Sequence, residues 1–179
     1  MHERVLFFEG RPESAPTPPP LPVGYEPLFW RPSLTRICPP GCGLYPFLIW
    51  WLLHMLRVFP NRGYGVFLIR HGDQWVHRSV VTPRFFRFPF MSIGDLQVGD
   101  VWTAGNERGR GLASFALLSI LAADCNRQRP YWYVVDESNL ASIRIAERAN
   151  LCRTALGTRT SRCGVRFFGA YRIREQLHG

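Results

Sequence analysis

The sequence predicts an α+β fold of the mixed kind, with a mostly antiparallel central sheet and helices on both faces. Three observations carry that reading. Runs of β-branched and aromatic residues with a period near two recur from Tyr64 onward. Two helical stretches, Phe115 to Ala123 and Leu140 to Asn150, each follow a strand after a short loop. The order after an N-terminal helix is then β-β-β-α-β-α-β-β, which mixes hairpins with strand–helix–strand units. A length of 179 residues suits one domain with a sizeable core, and 46 % hydrophobic residues place the chain among folding globules. No internal repeat is evident.

The chain opens with Val5-Leu6-Phe7-Phe8, read as a short edge strand, and lacks the charged-then-apolar pattern of a signal peptide. Prolines crowd residues 11–40, including Pro18-Pro19-Pro20, so residues 1–45 are expected to be a Pro-rich arm and 46–179 the domain proper. Phe29, Trp30 and Leu34 would pack that arm onto the domain; one wall of an acceptor site is its alternative role. Pro46 to Phe59 is the most apolar stretch, too short for a bilayer span of about 20 residues. Pro46 suits a helix start and Pro60 a stop. The leading expectation is a buried helix ahead of the sheet, with His54 a core or rim residue. Apolar on all faces, residues 46–59 also admit peripheral contact with a membrane or a homodimer interface.

Tyr64 to Arg70 and Trp75 to Thr82 form a hairpin around His71-Gly72-Asp73-Gln74. An aromatic loop, Arg84 to Met91, leads to the strand Leu96 to Thr103. Tyr131 to Val135 is the next strand. Leu151 to Arg159 and Val165 to Arg174 close the chain as a hairpin around Ser161-Arg162-Cys163-Gly164.

The net charge is +9, and every one of the 22 basic residues besides histidine is arginine. Such a field steers anionic ligands. The arginines are scattered and no helix-turn-helix, RRM or zinc-finger spacing occurs, so nucleic acid is not expected as a partner. Five cysteines without a repeating spacing make no disulfide framework. Cys38 and Cys42 lack a second Cys/His pair for a metal site, Cys125 is expected to be buried, and Cys152 could face Cys163 across the last hairpin. Reduced thiols in a cytoplasmic protein are the expectation.

Between the strand ending at Thr103 and the apolar helical stretch from Phe115 lies Asn106-Glu107-Arg108-Gly109-Arg110-Gly111-Leu112-Ala113-Ser114. A helix start offers unpaired N–H groups and a positive dipole end. Gly109 and Gly111 let backbone amides approach an anion, and Arg108 and Arg110 add charged donors. A P-loop is excluded, since the chain has no lysine. Arg108 to Ala113 fits [Q/R]-x-x-G-x-[G/A], and so resembles the acetyl-coenzyme-A pyrophosphate loop of the GCN5-related N-acetyltransferase (GNAT) superfamily. Downstream, Val135, Asn139, Ser142, Glu147, Arg148 and Leu151 match the offsets of V-x-x-x-N-x-x-A-x-x-x-Y-e-k-x-G-F. Two residues depart: Ala146 stands at the usual tyrosine and Asn150 at the usual glycine, although Asn tolerates a left-handed C-cap. The resemblance covers about residues 60–175.

The resemblance implies an N-acetyltransferase that uses acetyl-CoA as donor and a small-molecule amine as acceptor. It assigns donor contacts to Val101, Trp102 and Thr103 on the strand, to Arg108, Gly109, Arg110, Gly111, Leu112, Ala113 and Ser114 at the loop, and to Asn139 and Ser142 on the next helix. No metal is implied. An amine must be neutral to attack, so a general base is expected. The family places it on the strand before the loop, where Gln97 is nearest the position and Asp95 shares its face. Asp100 points the other way unless a bulge re-aims it. His77 is a further candidate. With Ala146 in place of tyrosine, Tyr133, Tyr171 or water would protonate the thiolate. The stretches FPFM, DLQVG, WTA, RGRG and DESNLAS resemble GNAT proteins associated with surface-polysaccharide synthesis, which implies an amino sugar, nucleotide- or lipid-linked, as acceptor. A peptide or protein amine is the second acceptor class, and a catalytically silent acyl-CoA-binding module the alternative function.

Overall fold

The computed structural model describes residues 4–124, 128–160 and 169–177. Cys125, Cys163 and the turn Ser161 to Gly164 lie outside them. The strands are β1 (Arg4–Gly10), β2 (Tyr25–Trp30), β3 (Gly65–His71), β4 (Gln74–Pro83), β5 (Leu96–Thr103), β6 (Tyr131–Asp136), β7 (Cys152–Arg159) and β8 (Tyr171–Gln176). The helices are α1 (Leu44–Met55), α2 (Leu112–Ala122) and α3 (Leu140–Arg148). One sheet holds all eight strands in the order β2-β3-β4-β5-β6-β1-β7-β8. The β5–β6 pair is parallel and the other neighbours are antiparallel.

β1 corrects the edge-strand expectation. It lies between β6 and β7 and pairs with both. Leu6 and Phe8 enter one apolar cluster, Val5 and Phe7 the other, so this strand is buried on both faces. An uninterrupted apolar run is what such a strand requires, because neither face meets water. β2 also comes from the Pro-rich segment and adds an outer strand to β3.

α2 and α3 pack in the first cluster, where Leu117, Ile120 and Leu121 meet Val98 and Tyr133. α1 packs in the second, through Phe47, Trp50 and Leu53. The buried-helix expectation for residues 46–59 fails: within α1 only Phe47 is buried. The helix also stops earlier, where Leu56 caps it and Arg57 turns left-handed at φ 56. α3 ends in a Schellman turn. Asn150 sits at φ 56, Leu151 N–H donates to Ala146 O at 3.1 Å and Asn150 N–H to Glu147 O at 3.0 Å.

Two features position the site. β5 and β6 pair only through Leu96–Tyr131, Gln97–Trp132 and Val98–Tyr133, and beyond these the strands part. β5 also carries a bulge. Its register with β4 shifts between Arg78 and Val80, which face Trp102 and Gly99, so Asp100 and Val101 together oppose Ser79. Asp100 adopts φ 46 there.

Candidate active site

A cavity of about 620 Å³ lies where β5, the loop and the starts of α2 and α3 converge. Val101, Trp102, Thr103, Arg108, Gly109, Gly111, Leu112, Ala113, Ser114, Asn139 and Ser142 all line it. Gly109 and Gly111 adopt φ 82 and 78, and a Cβ on either would meet no protein atom within 4 Å. Gly111 is the N-cap of α2 and has no side chain to cap it, so the first N–H groups of the helix face the cavity free of side-chain competition. Asn139 accepts from Ser142 N–H at 3.1 Å through Oδ1, which caps α3 and leaves its amide nitrogen as a donor.

Arg110 is placed differently. It does not line the cavity but pairs with Glu107 at 3.2 Å. Glu107 is the loop's anchor: its carboxylate accepts from Tyr25 Oη at 2.5 Å and meets His71 Nδ1 at 3.2 Å. Those two hydrogen bonds, Tyr25 first, hold the Glu107 carboxyl below its ordinary range. Instead of Arg110, Arg144 and Arg148 of α3 bring cationic side chains to the cavity beside Arg108. Their signal was present as an i, i+4 spacing on the helix that Asn139 opens.

A second cavity of about 360 Å³ is lined by Trp50 of α1, Arg87 and Phe88 of the aromatic loop, Gln97 and Asp100 of β5, and Tyr171 of β8. The bulge turns Asp100 onto the face that carries Gln97, which overturns the plain-alternation expectation. Arg78 Nη2 lies 3.0 and 3.1 Å from the two Asp100 carboxylate oxygens. Gln97 is fully engaged, its Oε1 accepting from Thr82 Oγ1 at 3.0 Å and its Nε2 donating to Val98 O at 2.6 Å. Its carboxamide fills the space a Cβ at Gly99 would need, with Nε2 only 2.5 Å from that point. An amide in that position takes no proton.

Asp95 and Tyr133 line neither cavity. Asp95 is buried, and its Oδ2 accepts from Trp132 Nε1 and Ser92 N–H, both at 2.8 Å. It stands just ahead of β5, before the strands part, and ties the start of that strand to Trp132 of β6. Tyr133 is buried in the cluster beneath α3; burial raises its phenol pKa, and a hydrogen bond with Ser142 opposes the rise. Tyr171 is the phenol that reaches the second cavity. Ala146 is fully buried, so that turn of α3 supplies no proton. His77 is buried between Thr103 Oγ1 at 2.8 Å and Ser79 Oγ at 2.9 Å, and burial brings its pKa down to about 4. Among the described residues no three His, Cys, Asp or Glu side chains cluster as a metal site.

No protein-family model matches the sequence, and no curated protein is significantly similar to it. Solved structures are similar in fold. A tandem GNAT protein from the clavulanic acid biosynthesis pathway superposes with a TM-score of 0.60 at 12 % identity, over 85 % of this chain and 50 % of that one. A GCN5-related N-acetyltransferase from Sphaerobacter thermophilus gives 0.58 at 18 % identity, over 88 % of this chain and 50 % of that one. One from Kribbella flavida gives 0.55 at 14 %, over 88 % and 58 %. The chain therefore spans between half and three fifths of the length of these structures. At these identities the likeness is one of architecture: the chain has the fold of the GCN5-related N-acetyltransferases.

Proposed function

We propose that the protein is an acetyl-CoA-dependent N-acetyltransferase for a primary amine on a small acceptor, an amino sugar being the leading class. The observation that carries this reading is the parting of β5 and β6, with an anion-binding cavity and an acceptor-sized cavity along the same stretch of β5. The residues present fit the donor. Backbone amides of Gly109 to Ser114 with Arg108, Arg144 and Arg148 would hold its phosphates, and Asn139 and the β5 backbone its pantetheine arm. Bound there, acetyl-CoA supplies a thioester carbonyl, an electrophile that an amine attacks directly.

The chain's own part is to orient and to move one proton. Asp100 is the carboxylate in the acceptor cavity, and it accepts the amine proton directly or through water while Arg78 holds it in place. An N–H on β5 polarises the carbonyl. As the carbon–nitrogen bond forms and the carbon–sulfur bond breaks, Tyr171 or water returns a proton to sulfur. The test is thiol release from acetyl-CoA over a panel of amino sugars, peptide amines and small alkylamines. Turnover on an amino sugar supports the reading, turnover on peptides alone moves the acceptor class, and binding without release above background identifies a silent module.

A further inference from the structure

The outward face of α1 is an apolar stripe. Tyr45, Ile49, Leu52 and the capping Leu56 follow at spacings that stack them on one side of the helix. They are 84 %, 43 %, 42 % and 71 % exposed, and Leu44 and Val58 extend the stripe at 58 % and 54 %. Contiguous apolar surface of this kind marks a contact with something other than water. Its surroundings are uniformly basic: between Glu26 and Asp73 the sequence has Arg31, Arg36, Arg57, Arg62 and Arg70 and no acid. Arg70 is paired with Glu26, whereas Arg36 and Arg57 are exposed beside the stripe.

Those arginines are near the helix in space. Trp51 Nε1 donates to Ser33 O at 2.8 Å, which seats the Ser33–Arg36 turn against α1, with exposed Leu34 in the turn. Arg62 and Arg31 lie toward the inner side of α1, where His54 faces Tyr64 and their charges lower its pKa, after burial as the main cause. Arg57 follows the stripe directly. We infer that this face docks on an anionic lipid bilayer, with the α1 stripe at the headgroup–acyl boundary and Arg36 and Arg57 against lipid phosphates. A second copy is the poorer occupant, because a two-fold contact would set the same arginine rim against itself. Among the described residues no helix is long and apolar enough to cross a membrane, so the contact is peripheral.

Trp50, on the same helix, lines the acceptor cavity. Docking would set that cavity just behind the helix that meets the lipid and points to a lipid-borne amine as acceptor; this last step rests on the transferase reading, whereas the docking does not.

The experiment is flotation of the full chain with vesicles of phosphatidylcholine alone and of phosphatidylcholine with phosphatidylglycerol, at low and high salt. Binding to the anionic vesicles, weakened by salt, is expected. Tyr45→Glu with Leu56→Glu should lower partitioning by about tenfold or more. Arg36→Ser and Arg57→Ser should each lower it by about fivefold. All four positions are exposed, and thermal unfolding checks that each variant is folded. No binding to anionic vesicles, equal binding to neutral ones, or binding indifferent to the α1 changes overturns the inference. So does sedimentation showing a dimer that Leu56→Glu dissociates. Calorimetry with acetyl-CoA, run alongside, shows whether the donor site stands when docking fails.

Discussion

Gly111→Asp tests the loop most sharply, because the structure separates its two costs. Gly111 caps α2 at φ 78, and a Cβ there meets nothing within 4 Å. The side chain would not be excluded by protein; it would enter open space at the wall of the 620 Å³ cavity. A left-handed backbone costs an L residue about 1 kcal/mol, but it does so in the free and the bound protein alike. That cost lowers stability and leaves affinity nearly unchanged. Charge acts on the complex only. A carboxylate about 5 Å from a phosphate charge, at an effective dielectric constant of about 20, is repelled by roughly 3 kcal/mol. One such pair weakens binding by about two orders of magnitude, and two pairs by about four. Asn matches Asp in size and tolerates the left-handed region, so Gly111→Asn isolates the charge. Calorimetry with acetyl-CoA should find Gly111→Asn weakened by the side chain it adds to the cavity, and Gly111→Asp weaker than Gly111→Asn by about a further hundredfold, the effect of the charge alone. A folded Gly111→Asp that binds like Gly111→Asn would remove the pyrophosphate from this loop.

Asp100→Asn should retain acetyl-CoA affinity, cut turnover by about a hundredfold and abolish the ascending limb of the pH–rate profile. Asp95→Asn should leave that profile alone and cost about 1–3 kcal/mol of stability in denaturant, through the weakened acceptor for Trp132 Nε1 and Ser92 N–H; the opposite pattern would return the base to Asp95. His77, at about 4 when folded against an ordinary value of 6.5, binds its proton more readily once unfolded. Its neutral form therefore stabilises the fold fully above pH 6.5, and that contribution, about 3 kcal/mol, is lost as pH falls towards 4. Denaturant titrations of His77→Gln should show a flatter decline over that window, and parallel curves would exclude the account. Arg144→Ala with Arg148→Ala should weaken acetyl-CoA by about 1 kcal/mol per charge and reduce the salt dependence. Binding of acetyl-pantetheine, which lacks those phosphates, should not change; an equal loss for both ligands would mean the helix itself has shifted.

What the sequence shows best is local. The stretch from Leu96 to Ala122 reads as strand, glycine loop and helix because β-branched alternation, paired glycines and an apolar run each have one good solution. The residues proposed for the donor lie within that stretch or at the cap of α3, so Gly111 and Asn139, which line one cavity, could be singled out without coordinates. The exception within the loop, Arg110, faces Glu107 because Tyr25 and His71 fix that carboxylate from two other strands. No local pattern encodes a contact across 82 residues. The place of β1 was hidden for the same reason: four apolar residues fit an edge or a centre, and only the partners on both sides decide. The acceptor cavity was the least visible part, since Trp50, Arg87, Asp100 and Tyr171 come from four separate segments.

The bulge ties these threads to one cause. A strand of strict period two from Gln97 would send Asp100 to the face of Val98, among apolar side chains packed under α2. At φ 46, Asp100 instead shares a face with Gln97, where Arg78 meets it, while Val101 takes the place on the Val98 face that alternation would have given Asp100. The same irregularity adds local twist to β5 just past Val98, the last residue paired with β6. Carboxylate placement and strand parting thus follow from one inserted residue. Gly99 makes room for it, because the Gln97 carboxamide occupies the space of any side chain there. Removing the extra residue from β5 would restore regular alternation, and the cleft and its acid would be lost together.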